Sequence, residues 1–161
     1  MPKIMNKSSR AYRVLWASLV ALALAWTATA TAASKDVDAL VSASVSGDYK
    51  KTQELLTKGV DVNAINTSGV TALMEAALGG HREVAELLLA HGADANIMNA
   101  DGATALMAAA LNGHREVAKL LLKNGANVNA KSPSGMSALS VATEQGQKDI
   151  VELLKHAGAK E

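Results

Sequence analysis

The chain has 161 residues and a formal net charge of +1, and its 49% hydrophobic content includes only 2% aromatic residues. It contains no Cys, which excludes disulfide bonds, thiolate metal sites and a cysteine nucleophile. Residues 33–161 carry 12 Lys and Arg against 15 Asp and Glu, a formal charge of −3 without a basic stripe. Nucleic-acid binding is therefore not expected, because phosphate contacts need clustered cations.

The N-terminal segment has the three parts of a secretory signal peptide. Residues 1–13 are polar and basic, Val14 to Trp26 form an apolar run, and small residues follow. The run is too short for a transmembrane helix, which needs about 20 apolar residues. We expect cleavage near Ala32 and Ala33, so residues 1–32 are a predicted signal peptide. The mature protein is then periplasmic or secreted and has no stable membrane insertion.

An uncleaved segment is the alternative. Extending the apolar run through residues 14–33 reaches 20 residues, although three threonines dilute it. Retained in the membrane, it would make the protein a tethered adaptor.

The rest of the chain repeats itself at a period of 33 residues. Gly69, Gly102 and Gly135 are 33 apart, and residues 69–101 match residues 102–134 at 20 of 33 positions. Such a period predicts a stacked array of supersecondary units. The units span about 36–68, 69–101, 102–134 and 135–161.

Each unit predicts two short helices followed by a connector. In the second unit Thr71 is placed to cap the first helix, and the Gly-Gly pair at 79–80 ends it. A second helix is expected from about His81 to His91, where Gly92 ends it. Leucines on the second helices are expected in the core, among them Leu87 and its equivalent Leu120. Neither helix can bury its apolar side alone, so neighbouring units must supply the core.

These units resemble ankyrin repeats. The third reads DGATALMAAALNGHREVAKLLLKNGANVNAK from Asp101 to Lys131, and the resemblance covers about residues 36–161. It implies an all-α solenoid of about four stacked helix-turn-helix units with turn or hairpin connectors. Two departures recur: Ala replaces the family's Pro, and Met74, Met107 and Ser140 replace its His, which removes an imidazole from the helix starts.

The sequence offers little for catalysis. His81 and His114 hold equivalent positions in neighbouring units, too far apart to share one metal ion, and we interpret them as helix-start residues bonded to the loop. No metalloprotease motif, catalytic triad spacing or phosphate-binding glycine loop is present. We expect no enzyme activity, no metal and no cofactor.

The resemblance implies a protein-binding strip made of connector tips and first helices. The candidate contact residues are those that differ between units on this strip: Ile65, Asn66, Val70, Met98, Asn99, Asp101, Ala103, Lys131, Ser132 and Met136.

A monomeric scaffold for a protein partner is the function expected from this pattern. Some exported ankyrin proteins look like partners or protectors of periplasmic enzymes such as catalases. Others look like immunity proteins that neutralise a toxin delivered to the periplasm. The sequence does not separate these two roles.

Overall fold

The repeats fold into pairs of short helices. The computed structural model describes residues 33–160, so the predicted signal peptide lies outside the described residues. Residues 36–161 group into one unit. Its helices are α1 (33–45), α2 (Tyr49–Thr57), α3 (Ala72–Gly79), α4 (Arg82–Ala90), α5 (Ala105–Leu111), α6 (Arg115–Lys123), α7 (Ala138–Glu144) and α8 (Lys148–His156).

The helices form two parallel rows. The first helices α3, α5 and α7 contact one another in sequence, and the second helices α2, α4, α6 and α8 do the same. Each of α3, α5 and α7 also contacts the second helix of its own unit. Within residues 33–160 the only β-type pairing is an isolated bridge between Lys131 and Ser137. The predicted all-α stack of helix-turn-helix units is confirmed.

The first helices start at hydroxyl caps. Thr71 accepts a hydrogen bond from the backbone amide of Met74 at 3.3 Å, and Thr104 does the same in α5. In α7, Ser137 and Ser140 form a capping box. Each cap satisfies a backbone donor that the helix leaves without a partner, so the predicted capping role of Thr71 is confirmed.

The second helix of unit two is bounded by histidine and glycine, as the sequence indicates. Helix α4 runs from Arg82 to Ala90, with His81 and His91 as its flanking residues. Gly92 follows with φ +86°, the left-handed conformation that an L side chain rarely adopts.

Leucines at equivalent positions of the first helices form the centre of the core. Leu40, Leu73, Leu106 and Leu139 are all at most 4% exposed. The second helices add a further buried row, which includes Leu88 and Leu121.

One core prediction was wrong. Leu87 is buried, but its equivalent Leu120 is only partly buried and packs at the edge of the core. Helix α6 directs Val117, Ala118 and Leu121 inward, which leaves Leu120 at the margin of its buried face.

Asparagines join each connector to the next. The Asn96 side chain donates to the Gly125 carbonyl at 3.0 Å and accepts from the Asn127 amide at 2.7 Å. Asn63 and Asn129 make the same pair of bonds one unit earlier and one unit later. Because these bonds recur at every described junction, they hold the connectors in register along the stack.

Candidate functional site

The connector hairpins place one residue of each unit beside the first helices. Asn66 accepts hydrogen bonds from the backbone amides of Ser68 and Val70, at 3.0 and 3.1 Å. The backbone amide of Asn66 donates to the Val70 carbonyl at 3.0 Å, which closes the hairpin. Val70 is therefore held at a fixed position where the chain enters α3.

The next two hairpins repeat this construction. Asn99 accepts from the amides of Asp101 and Ala103 at 3.0 and 2.8 Å, and Ser132 accepts from the Met136 amide at 3.1 Å. Ser132 is only 4% exposed. The side-chain oxygens of these residues thus shape the connectors, and they position Ala103 and Met136 as Asn66 positions Val70.

The connector tips expose apolar and charged side chains. Ile65 is 52% exposed and Met98 is 42% exposed, and Lys131 occupies the equivalent position in the third connector. Asp101 is also exposed. These four predicted contact residues lie at the tips and do not line the groove described next.

A groove of about 290 Å³ crosses the first helices of units two, three and four. We call it the central groove. Its lining residues are Val70, Met74, Glu75, Leu78, Asn99, Ala103, Thr104, Met107, Ala108, Leu111, Met136 and Val141. The groove gathers four of the predicted contact residues, which are Val70, Asn99, Ala103 and Met136.

The wall of the groove is made by leucines that the sequence reasoning missed. Leu78 and Leu111 are equivalent residues at the ends of α3 and α5, and Leu111 is 40% exposed. The Leu78 carbonyl accepts hydrogen bonds from Asn112 at 2.8 Å and from His114 at 3.0 Å. The sequence did contain a signal for this wall, because a leucine lies off the buried apolar stripe at the same position in two successive units.

Methionines form the floor of the groove. Met74 and Met107 line it and are 6% and 5% exposed. They are the residues found where the resemblance leads one to expect histidine. Met136, which is 44% exposed, lies at the rim. Methionine is flexible and polarisable, so this apolar surface can adapt to differently shaped side chains.

Ion pairs lie on the second helices and beside them. Glu54 pairs with Lys58 and with Lys51, at 2.6 and 3.1 Å. Hydrogen bonds from Lys58 and then Lys51 lower the pKa of the Glu54 carboxyl below its ordinary value. All three side chains are about half exposed, so these pairs add little to stability.

The histidines are engaged with backbone carbonyls. His81 Nε2 donates to the Val45 carbonyl at 2.9 Å, and His114 Nε2 donates to that of Leu78. Each ring therefore ties the start of a second helix to the C-terminal end of the first helix of the preceding unit, rather than to a loop. Among residues 33–160 no cluster of three or more His, Asp or Glu side chains is arranged to hold a metal ion.

A larger hollow, of about 420 Å³, lies at the C-terminal end of the stack. Lys131, Glu144 and Lys155 line it together with hydroxyl-bearing residues of α7. It therefore lies on unit four, between the third connector and helices α7 and α8. We consider the central groove the better candidate site, because it crosses three units and is almost entirely apolar.

Comparison with known protein families identifies a family that matches this chain. The family described as "Ankyrin repeats (3 copies)" matches residues 22–99, 40–132 and 91–161. A search of the curated proteins finds no match. In the part of the chain that the structure describes, no helix has the length and apolar character needed to cross a membrane.

Proposed function

The chain belongs to the ankyrin repeat family, and we propose that it is a periplasmic scaffold that holds one partner protein in its central groove. Ankyrin repeats generally serve as non-enzymatic modules for protein–protein interaction. The proposal adds a binding face, a compartment and a partner role to that general function.

The composition of the central groove is the observation that carries the proposal. Leu111 and Met136 are 40% and 44% exposed although they are large and apolar, and they lie in one continuous groove. A contiguous apolar surface that stays exposed on a folded domain is typical of an interaction site. One equivalent position in the groove differs in each unit, as Val70, Ala103 and Met136 show, whereas the core leucines repeat.

The periplasmic location rests on the signal-like segment at residues 1–32. After cleavage the repeats would be free in the periplasm or outside the cell. We propose that the partner there is an enzyme that the scaffold protects or supports. Neutralising a periplasm-targeted toxin is the alternative role, and a membrane-tethered adaptor is the form expected if the segment is retained.

Affinity capture from the native periplasm tests the proposal. Three baits are compared: the wild-type chain, a groove variant with Leu111→Asp and Met136→Asp, and a control with Gln53→Asp and Lys119→Asp. The control residues are exposed on α2 and α6. Circular dichroism confirms that each bait is folded before mass spectrometry identifies the bound proteins.

The expected result is one stoichiometric protein that the wild type and the control retain and the groove variant loses. An enzyme as that protein supports the protective role, and a toxin supports the immunity role. A protein retained equally by all three baits would refute the groove as the binding face.

A further inference from the structure

One charged side chain interrupts the apolar lining of the central groove. Glu75, on α3, is the only charged residue among the groove's lining residues, and it is half-buried. Within residues 33–160 it makes no ion pair and no side-chain hydrogen bond. A carboxylate that is partly withdrawn from water and faces apolar neighbours is stabilised by a cation that approaches it.

The fold of the stack does not account for this carboxylate. Glu75 lies in the first turn of α3, where a negative charge interacts favourably with the helix dipole. However, the equivalent residues of the other units are Ser42, Ala108 and Val141, and those units form the same helix. Thr71 already caps α3. A charge that three of four units omit is therefore free to serve recognition.

The residues around Glu75 determine which side chains a ligand can place beside a cation that pairs with this carboxylate. Met107 forms the floor of the groove, and Leu78 and Leu111 form its wall. These side chains offer no hydrogen-bonding group. The side-chain oxygens of the polar lining residues Asn99 and Thr104 already accept backbone hydrogen bonds. A polar or doubly charged segment would therefore lose hydration here with little compensation, whereas apolar side chains gain from burial.

We propose that the central groove takes a segment of the partner protein that carries a single Lys or Arg among apolar residues. The cation pairs with Glu75, and the adjacent apolar side chains pack against Leu78, Met107 and Leu111. This inference rests on the proposed scaffold function and specifies the chemistry of its partner. An electrostatic pair inside an apolar groove fixes the register of the bound segment, which apolar contacts alone do not.

A displayed library of random 12-residue peptides tests the inference, with the purified full chain as bait. Three variants are selected in parallel: Glu75→Lys, Leu111→Asp and Glu83→Lys. Glu83 is exposed on α4, outside the groove. The Glu83→Lys variant makes the same charge change as Glu75→Lys and is the matched control. Circular dichroism establishes that each variant is folded.

The wild type and Glu83→Lys should enrich apolar peptides that contain Lys or Arg, whereas Glu75→Lys should enrich peptides that contain Asp or Glu. A peptide selected on the wild type should bind Glu75→Gln about three- to tenfold more weakly, as for a partly screened charge pair. Its binding to the wild type should weaken with added salt more than its binding to Glu75→Gln.

The failures are distinguishable. Two outcomes would overturn this inference and leave the scaffold function standing. In the first, the selected peptides require Leu111 but are not enriched in Lys or Arg. In the second, Glu75→Lys enriches the same Lys- or Arg-containing peptides as the wild type. Peptides that bind Leu111→Asp as well as the wild type would contradict the groove itself. A library that yields no binder would overturn the inference that the groove takes a linear segment.

Discussion

The imidazole ring of His114 lies directly against the backbone of Gly80, the residue that ends the first helix of the preceding unit. A Cβ atom at Gly80 would overlap the ring, and the same ring donates a hydrogen bond to the Leu78 carbonyl. Gly47 and His81 are related in the same way one unit earlier. The junction between units thus depends on a glycine without a Cβ atom in one unit and on the imidazole ring that packs against it from the next unit.

Gly80→Ala should destabilise the stack more than Gly92→Ala does. Both glycines have positive φ, +71° and +86°, but a Cβ at Gly92 meets nothing within 4 Å. The backbone conformation alone should cost each variant about 1–2 kcal/mol in free energy of unfolding. Displacement of the His114 ring should cost Gly80→Ala a further 1–3 kcal/mol or so, as overpacking does.

Urea denaturation followed by circular dichroism measures the difference. In a His114→Ala background the two alanine variants should become equally destabilising, because the ring is gone. Equal losses in the wild-type background would refute the packing role of Gly80.

Leu87→Ala and Leu120→Ala form a second matched pair, since the residues are equivalent in neighbouring units. Leu87 is 8% exposed and Leu120 is only partly buried. Leu87→Ala should therefore lower the free energy of unfolding by about 2–5 kcal/mol. Leu120→Ala should cost about 1–2 kcal/mol, because less apolar surface leaves water there on folding. Thermal and urea unfolding would decide the order, and a larger loss at Leu120 would contradict the structure.

Much of the fold could be predicted from the sequence because each helix start, buried stripe and helix end is encoded in several successive units. The Thr cap, the apolar stripe and the terminal glycine recur at 33-residue intervals. One atypical residue in a single unit therefore does not change the predicted helix boundaries. Unit one departs from the pattern: α1 is helical through Asp38, which stands where the other units have their cap. The Asp38 carboxylate instead accepts from the amide and hydroxyl of Thr67, a contact 29 residues away.

The binding surface was less accessible to sequence reasoning than the fold. Differences between units pointed to Val70, Ala103 and Met136, and these residues do line the central groove. They also pointed to Ser132, which the structure buries, because a hydroxyl that caps its own hairpin and one that faces a partner look the same in sequence. Leu111 was missed because its exposure depends on where the short helix α5 ends.

Met98→Ala should leave the stability unchanged and weaken partner binding. Met98 is 42% exposed at a connector tip, and substitutions at such positions usually change the free energy of unfolding by less than about 0.5 kcal/mol. Urea denaturation and a titration with the captured partner give the two quantities separately. Unfolding of the variant would show that Met98 supports the connector, and unchanged affinity would remove this tip from the interface.

The mature protein should show no tryptophan fluorescence. Trp16 and Trp26 both precede the expected cleavage site, and the remaining chain has Tyr49 as its sole aromatic residue. Emission spectra of the protein purified from its native compartment, together with its intact mass, test this directly. Tryptophan emission would mean that the N-terminal segment is retained, and the tethered adaptor would then replace the free scaffold.

Photo-crosslinking in living cells tests the central claim most directly. A photoreactive amino acid is placed at Leu111 in the central groove in one strain, and at Lys119 on the exposed side of α6 in another. Our account predicts that light produces one discrete adduct with a partner protein from position 111 and none from position 119. Adducts from position 119 alone, or the same adduct from both positions, would contradict binding through the groove.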